Sequence, residues 1–143
     1  MPEPKYRKHF FPKPLIDGTD VKYRIVMQGS ATGFGGLFQN YWLRWNCITN
    51  PMSMATPHTH DFDEIWHFFG ADASDISQFD AVVECTMGPE LEVYTVTEPT
   101  IVWVPAGLVH APIDIKVVNK PIIFMNVANT VDYSETPYTG STQ

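Results

Sequence analysis

Short apolar runs broken by turn residues dominate the chain, and none of them keeps a helical period. Val21-Lys-Tyr-Arg-Ile-Val-Met27, Tyr41-Trp-Leu-Arg-Trp-Asn-Cys-Ile-Thr49 and Glu64-Ile-Trp-His-Phe-Phe69 are β-prone. So are Ala81-Val-Val-Glu-Cys-Thr86, Leu91-Glu-Val-Tyr-Thr-Val96 and Ile101-Val-Trp-Val104, and further strands are expected near 110–117 and 122–127. Gly70, Met87-Gly-Pro-Glu90, Glu98-Pro99 and Pro105-Ala-Gly107 punctuate the gaps. Short strands spaced by turn signals predict an all-β sandwich or barrel. Residues 71–80, rich in Asp and Ser, read as a short helix or a loop. The glycine-rich stretch from Gly29 to Gly36 lacks the following lysine and helix of a phosphate-cradling loop, so it reads as a turn.

The ends of the chain have a different texture. Residues 1–20 carry Pro2, Pro4, Pro12 and Pro14, which disfavour a regular helix. An extended arm is expected, lying either on its own surface or on a partner subunit. From Tyr133 the chain turns polar and reads as a loosely held tail, residues 133–143. The β-domain is thus expected over residues 21–132. A single domain suits 143 residues, and a chain of that size buries roughly 70% of its unfolded surface.

Composition narrows the function. With 44% hydrophobic and only 17% charged residues, a packed body is expected rather than disorder. The net charge of −7 argues against a nucleic-acid or anionic-membrane binder, since both demand a basic surface. Cys47 and Cys85 are far apart and lack metal-binding spacing. Free thiols are favoured over a disulfide. No secretory signal opens the sequence, and no run approaches the roughly 20 apolar residues of a membrane span. These features read as a soluble, cytoplasmic protein.

The chemistry concentrates at His58-Thr-His60-Asp-Phe-Asp-Glu64. Alternate side chains of a strand share a face, so His58 and His60 point the same way. Imidazole with carboxylate suits a divalent transition metal: iron first, then manganese, nickel, zinc or copper. Two histidines in a polar loop can also be mere solvated residues. Glu64, however, begins an apolar strand, where an unpaired carboxylate is costly and a cation would offset the cost. His110 follows Pro105-Ala-Gly-Leu-Val in a second tight turn and supplies a third imidazole. Asp63 rivals Glu64 by position alone.

These two segments resemble the paired motifs of the cupin superfamily. The first reads Pro57-His58-Thr-His60-Asp-Phe-Asp-Glu64-Ile-Trp-His-Phe-Phe-Gly70, and the second Val104-Pro105-Ala-Gly107-Leu-Val-His110. The leading glycines of the two motifs fall at Met52 and Pro99 here, and the closing asparagine of the second falls at Asp114. The resemblance implies a double-stranded β-helix, or jelly-roll β-barrel, with a metal held by His58, His60, Glu64 and His110. The family spacing after His60 selects Glu64 over Asp63. Coordination positions left open would admit water, dioxygen or substrate. Pairing of single-domain members implies a homodimer, and the arm with Phe10 and Phe11 suits such an interface.

The strand period from Glu64 places Trp66 and Phe68 inward and Ile65, His67 and Phe69 outward, so His67 is not expected to be a ligand. Pro112 and Asp114 share the face of His110 if that strand is regular, and Asn126 lies on a strand able to pass near the metal. Trp66, Phe68, Pro112, Asp114 and Asn126 are therefore the candidate pocket lining. The inward face of strand 41–49 stays open. A metal-dependent enzyme acting on a small polar molecule is the favoured function, either a dioxygenase or a Lewis-acid lyase, isomerase or decarboxylase. A metal-containing binding or sensing module is the alternative, because fold does not fix function.

Overall fold

The structure is a computed structural model and describes residues 4–10, 12, 23–27 and 42–140. The glycine-rich turn at 29–36 lies outside the described residues, as do most of the arm at 1–20, Phe11 included, and residues 141–143. Within the arm, Arg7–His9 forms a single 3-10 turn and Phe10 is exposed.

Among the described residues eleven strands follow: β1 Tyr23–Met27, β2 Trp42–Ile48, β3 Met52–Met54, β4 His58–Thr59, β5 Glu64–Gly70, β6 Ala81–Met87, β7 Glu92–Val96, β8 Thr100–Val104, β9 His110–Val118, β10 Ile122–Ala128 and β11 Thr136–Pro137. They form two antiparallel sheets. One runs β1-β2-β10-β5-β8, the other β11-β4-β9-β6-β7 with β3 also paired to β9. The fold is an all-β jelly roll of facing sheets, and no hydrogen-bonded ladder joins the two sheets among the described residues. Residues 71–80 form no helix. Asp72 and Asp75 each accept a hydrogen bond from the backbone N–H two residues on, at Ser74 and Ser77, and these local bonds hold the chain in turns.

Strand alternation builds the interior. On β5, Glu64, Trp66 and Phe68 are buried while Ile65 is exposed. On β10, Phe124 lies opposite Phe68, Asn126 opposite Trp66 and Ala128 opposite Glu64. Continuing across to β2, Asn126 lies opposite Arg44 and Phe124 opposite Asn46. The inward face of that strand is therefore Trp42, Arg44, Asn46 and Ile48, and Trp45 points out. Phe68 stacks on Phe124 with ring centroids 4.8 Å apart, above Val83, Cys85, Ile113 and Ile115 of the facing sheet. This apolar layer fills one end of the sandwich and leaves polar side chains at the other. The outer face of the five-stranded sheet also carries exposed apolar residues, among them Trp45, Ile65, Ile101 and Trp103. Cys47 and Cys85 are both free, and burial pushes the Cys85 thiol up to about 12.

Gly70 ends β5 where the chain passes the backbone of Gln78, and a Cβ there would overlap the Gln78 carbonyl oxygen. Because the obstacle is backbone, relief requires moving the loop. Gly70→Ala is expected to lower stability by about 1–3 kcal/mol, the usual cost of forced overpacking. Urea midpoints of the two proteins check this, and equal midpoints would refute the steric account.

Candidate metal centre

The polar end of the sandwich collects its side chains from both sheets. His58 on β4 lies directly opposite His110 on β9. His60 follows in the turn after β4, and Glu64 reaches in from the first residue of β5 on the facing sheet. All four are at least 96% buried. Two backbone and side-chain bonds fasten the turns that carry them. The Gly107 N–H donates to the His60 carbonyl at 2.9 Å, and the Ala106 N–H donates to Asp63 Oδ1 at 2.8 Å. Asp63, exposed, thus clasps the two motif turns together.

The imidazoles are oriented by the main chain. Nδ1 of His58 meets the Thr56 carbonyl at 2.6 Å, that of His60 the Ser134 carbonyl at 2.7 Å, and that of His110 the Leu108 carbonyl at 2.8 Å. A carbonyl only accepts, so each Nδ1 carries a proton, and the form of each ring that binds metal presents its Nε2 lone pair. These ligating atoms converge within 4.8 Å of one another. His58 Nε2 and His60 Nε2 are 3.2 Å apart. Glu64 lies 4.0 Å from His60 Nε2 through one oxygen and 3.9 Å from His110 Nε2 through the other. Its Oε1 accepts a hydrogen bond from the Trp66 indole N–H. Glu64 Oε2 and His110 Nε2 are buried and have no hydrogen-bond partner among the described residues. Facing lone pairs and orphaned acceptors repel one another unless a cation lies among them. The donor set fits a divalent metal, and its outer contacts are those that fix a metal-binding tautomer.

The electrostatics agree. Burial, with smaller contributions from His58 and His60, lowers His110 to about 4. Burial also lowers His60. Both rings stay neutral at pH 7, the form that binds metal. Burial raises Glu64 above the usual carboxylate range, and hydrogen bonds from Trp66 and Asn126 draw it partly back. A test follows from His110. In the metal-free protein its ring signals in an NMR titration should hold steady through pH 5 and move only near pH 4. Movement near pH 6.5 would contradict the burial argument. As pH falls below 6.5 the unfolded chain takes up this proton first. The metal-free fold therefore loses stability between pH 6.5 and 4 at this residue, on the order of 3 kcal/mol.

A cavity of about 150 Å³ adjoins the cluster, lined by Arg44, Asn46, Trp66, Phe124, Asn126 and Tyr133 among others. Of the lining expected from sequence, Trp66 and Asn126 border it. Phe68 lies one row deeper, in the apolar layer against Phe124. Pro112 and Asp114 are off the cavity. The β6–β9 register shifts between Cys85 and Met87, so that His110 pairs with Met87 and Ile113 with Cys85. This bulge, with Ala111 at φ 82°, reverses the phase of β9, and Ile113 and Ile115 follow His110 inward. Asp114 instead accepts a hydrogen bond from Ser53 at 2.5 Å. His67 lies on the opposite face of β5, with Nδ1 3.2 Å from the Met125 carbonyl.

Residues from Tyr133 onward, which read as a polar tail, also meet the site. Thr136 pairs with Thr59 and Pro137 with His58, adding β11 to the sheet edge. Tyr133 is stacked on Trp42 at 4.7 Å, with its hydroxyl 3.2 Å from His60 Nε2, and Glu135 lies 3.4 Å from His58 Nε2. The one sequence signal for this was the alternation of Tyr133 and Glu135, which puts both on one face of an extended segment.

No family model and no curated protein matches the sequence. Solved structures do match. A Bacillus subtilis oxalate decarboxylase variant superimposes with TM-score 0.54 at 16% identity, over 78% of this chain and 26% of that one. An oxalate oxidase superimposes with TM-score 0.53 at 13% identity, over 79% of this chain and 53% of that one. A structure concerned with the Mn(II) centres of the B. subtilis decarboxylase gives TM-score 0.54 at 15% identity, over 78% and 26%. This chain therefore spans about a quarter of the decarboxylase and about half of the oxidase. What these structures share with this chain is the fold, a β jelly roll. No helix among the described residues is long and apolar enough to cross a membrane.

Proposed function

We propose that this chain is a metal-dependent enzyme acting on a small carboxylate or a similar polar molecule, with one divalent transition metal held by His58, His60, Glu64 and His110. The observation that carries the reading is the set of three Nε2 lone pairs, fixed by three carbonyls, that meet beside the buried Glu64 carboxylate. Nitrogen and oxygen donors of this kind suit iron and manganese. The Mn(II) centres of the similar decarboxylase put manganese beside the iron favoured on sequence. The metal would supply Lewis acidity or, with a redox-active ion, a partner for dioxygen.

The remaining roles belong to the protein. Arg44 on the cavity wall offers a planar, permanently charged fork suited to a carboxylate. Asn46 is committed to the Phe124 carbonyl at 3.0 Å and shapes the wall. Trp66, Ile113 and Phe124 exclude water from the inner side. At about 30 Å³ per water-sized unit, a cavity of about 150 Å³ holds roughly five such units. That is the size of a two- or three-carbon acid, and the names of the similar enzymes carry such an acid, oxalate.

The test is elemental analysis of protein purified without an affinity tag, followed by oxygen-uptake and carbon-dioxide assays over small acids, diketones, thiols and enols. Near-stoichiometric metal with turnover of a small carboxylate is the expected result. Metal without turnover, and a metal-dependent thermal shift with one compound, would identify a binding module instead. Absence of metal would end both readings.

A further inference from the structure

We propose that Glu135 is a further ligand of this centre, carried to it by β11; the inference rests on the metal reading above. Glu135 Oε2 stands 3.4 Å from His58 Nε2. That spacing is close to the 3.2 Å between His58 and His60 Nε2, and shorter than the 3.9 and 4.0 Å that separate Glu64 from its histidines. The contact has the wrong chemistry for a neutral hydrogen bond. In the metal-binding form of the ring, with Nδ1–H given to the Thr56 carbonyl, Nε2 presents a lone pair to a carboxylate oxygen. Two acceptors at this distance repel, and a shared cation turns the repulsion into coordination.

The segment is built to hold that position. β11 is paired to β4, and the Tyr138 N–H donates to the Pro57 carbonyl at 2.9 Å. The Ser134 carbonyl, one residue before Glu135, is the acceptor that orients His60. Tyr133 donates its hydroxyl proton to Glu135 Oε2 at 3.0 Å, and its ring is fixed against Trp42 with planes 28° apart. One short segment therefore orients one histidine and places a carboxylate against another. The Glu135 side chain remains 41% exposed, at the cavity mouth, where a carboxylate exchanges with solvent or with an incoming anion at little cost. The charge count also favours it. Three neutral imidazoles with two carboxylates balance a divalent ion, whereas one carboxylate leaves a buried net charge.

The experiment is chelator competition for Mn(II), with visible absorption of the Co(II)-loaded protein, on the full chain. Glu135→Ala should weaken Mn(II) binding about tenfold or more. It should also change the intensity of the Co(II) bands, which report the number and type of donor atoms. Glu135→Gln, which keeps the shape and loses the charge, should fall between. The exposed position predicts unchanged melting of the metal-free variants, so a folding defect will not imitate the result. Two outcomes overturn the inference and leave the metal site standing: unchanged affinity in Glu135→Ala, or weaker affinity with an unchanged Co(II) spectrum, which would make Glu135 a positioning residue. A wild-type protein that takes up neither ion ends the inference together with the reading it rests on.

Discussion

Replacing His58 and His60 together with alanine is expected to abolish metal uptake while leaving the jelly roll folded. The two rings supply two of three convergent nitrogens. Outer contacts to metal ligands are alone worth about 10–100-fold in affinity, so loss of two ligands should exceed that for each ring removed. The fold should survive because the apolar layer of Phe68, Phe124, Ile122 and Val83 lies at the far end of the sandwich from both rings. Removing them also relieves the 3.2 Å approach of two buried ring nitrogens. A ligand that binds only the native state stabilises it by about 4 kcal/mol at 1,000 times its dissociation constant. Wild-type melting should therefore rise with added metal, and the double variant should not respond. His67→Ala, altered on the outer face of β5, should keep both the metal and the response. Stoichiometric metal in the double variant would show that other residues form the site.

What the sequence made legible here, and what it hid, divide along the range of the interactions. His58, His60 and Glu64 lie within one local segment, where the two-residue spacing of the histidines and the place of Glu64 at the start of an apolar strand are both readable. His110 is distant, but Pro105-Ala-Gly107 marks the turn that delivers it. The phase of β9 beyond His110 was hidden, since a bulge adds a residue to one strand without any sign in the apolar pattern. The inward face of β2 was equally silent, because Trp42 and Trp45 put an aromatic on each side. β3, β4 and β11 span only three, two and two residues, too short to show a period. Tyr133 and Glu135 reach the centre through such a pairing, between residues more than seventy positions apart. Nothing local in their composition separates them from a solvated tail.

Trp66 joins the apolar core to the candidate metal centre, and its replacement should separate the two. The ring is 2% exposed and meets Phe68, Phe124 and His110 edge-on, at centroid distances of 6.4, 6.1 and 5.5 Å. Trp66→Ala removes that packing and should cost about 3–5 kcal/mol. Trp66→Phe keeps most of the packing and deletes the indole N–H that Glu64 Oε1 accepts. Burial already raises Glu64, and this bond is the largest influence drawing it back. Without it the carboxyl moves further toward its neutral form, and a metal must displace a proton that the wild-type site holds less firmly. Trp66→Phe should therefore lose only about 1–3 kcal/mol of stability. It should also bind Mn(II) about 10–100-fold more weakly, increasingly so as pH falls. Chelator competition across a pH series reads the second effect and urea melting of the metal-free protein reads the first. A Phe variant with wild-type affinity at every pH would mean that the indole serves packing alone. The Glu64→Gln variant supplies the control: with no carboxylate to support, the further change to Phe at position 66 should no longer alter metal affinity.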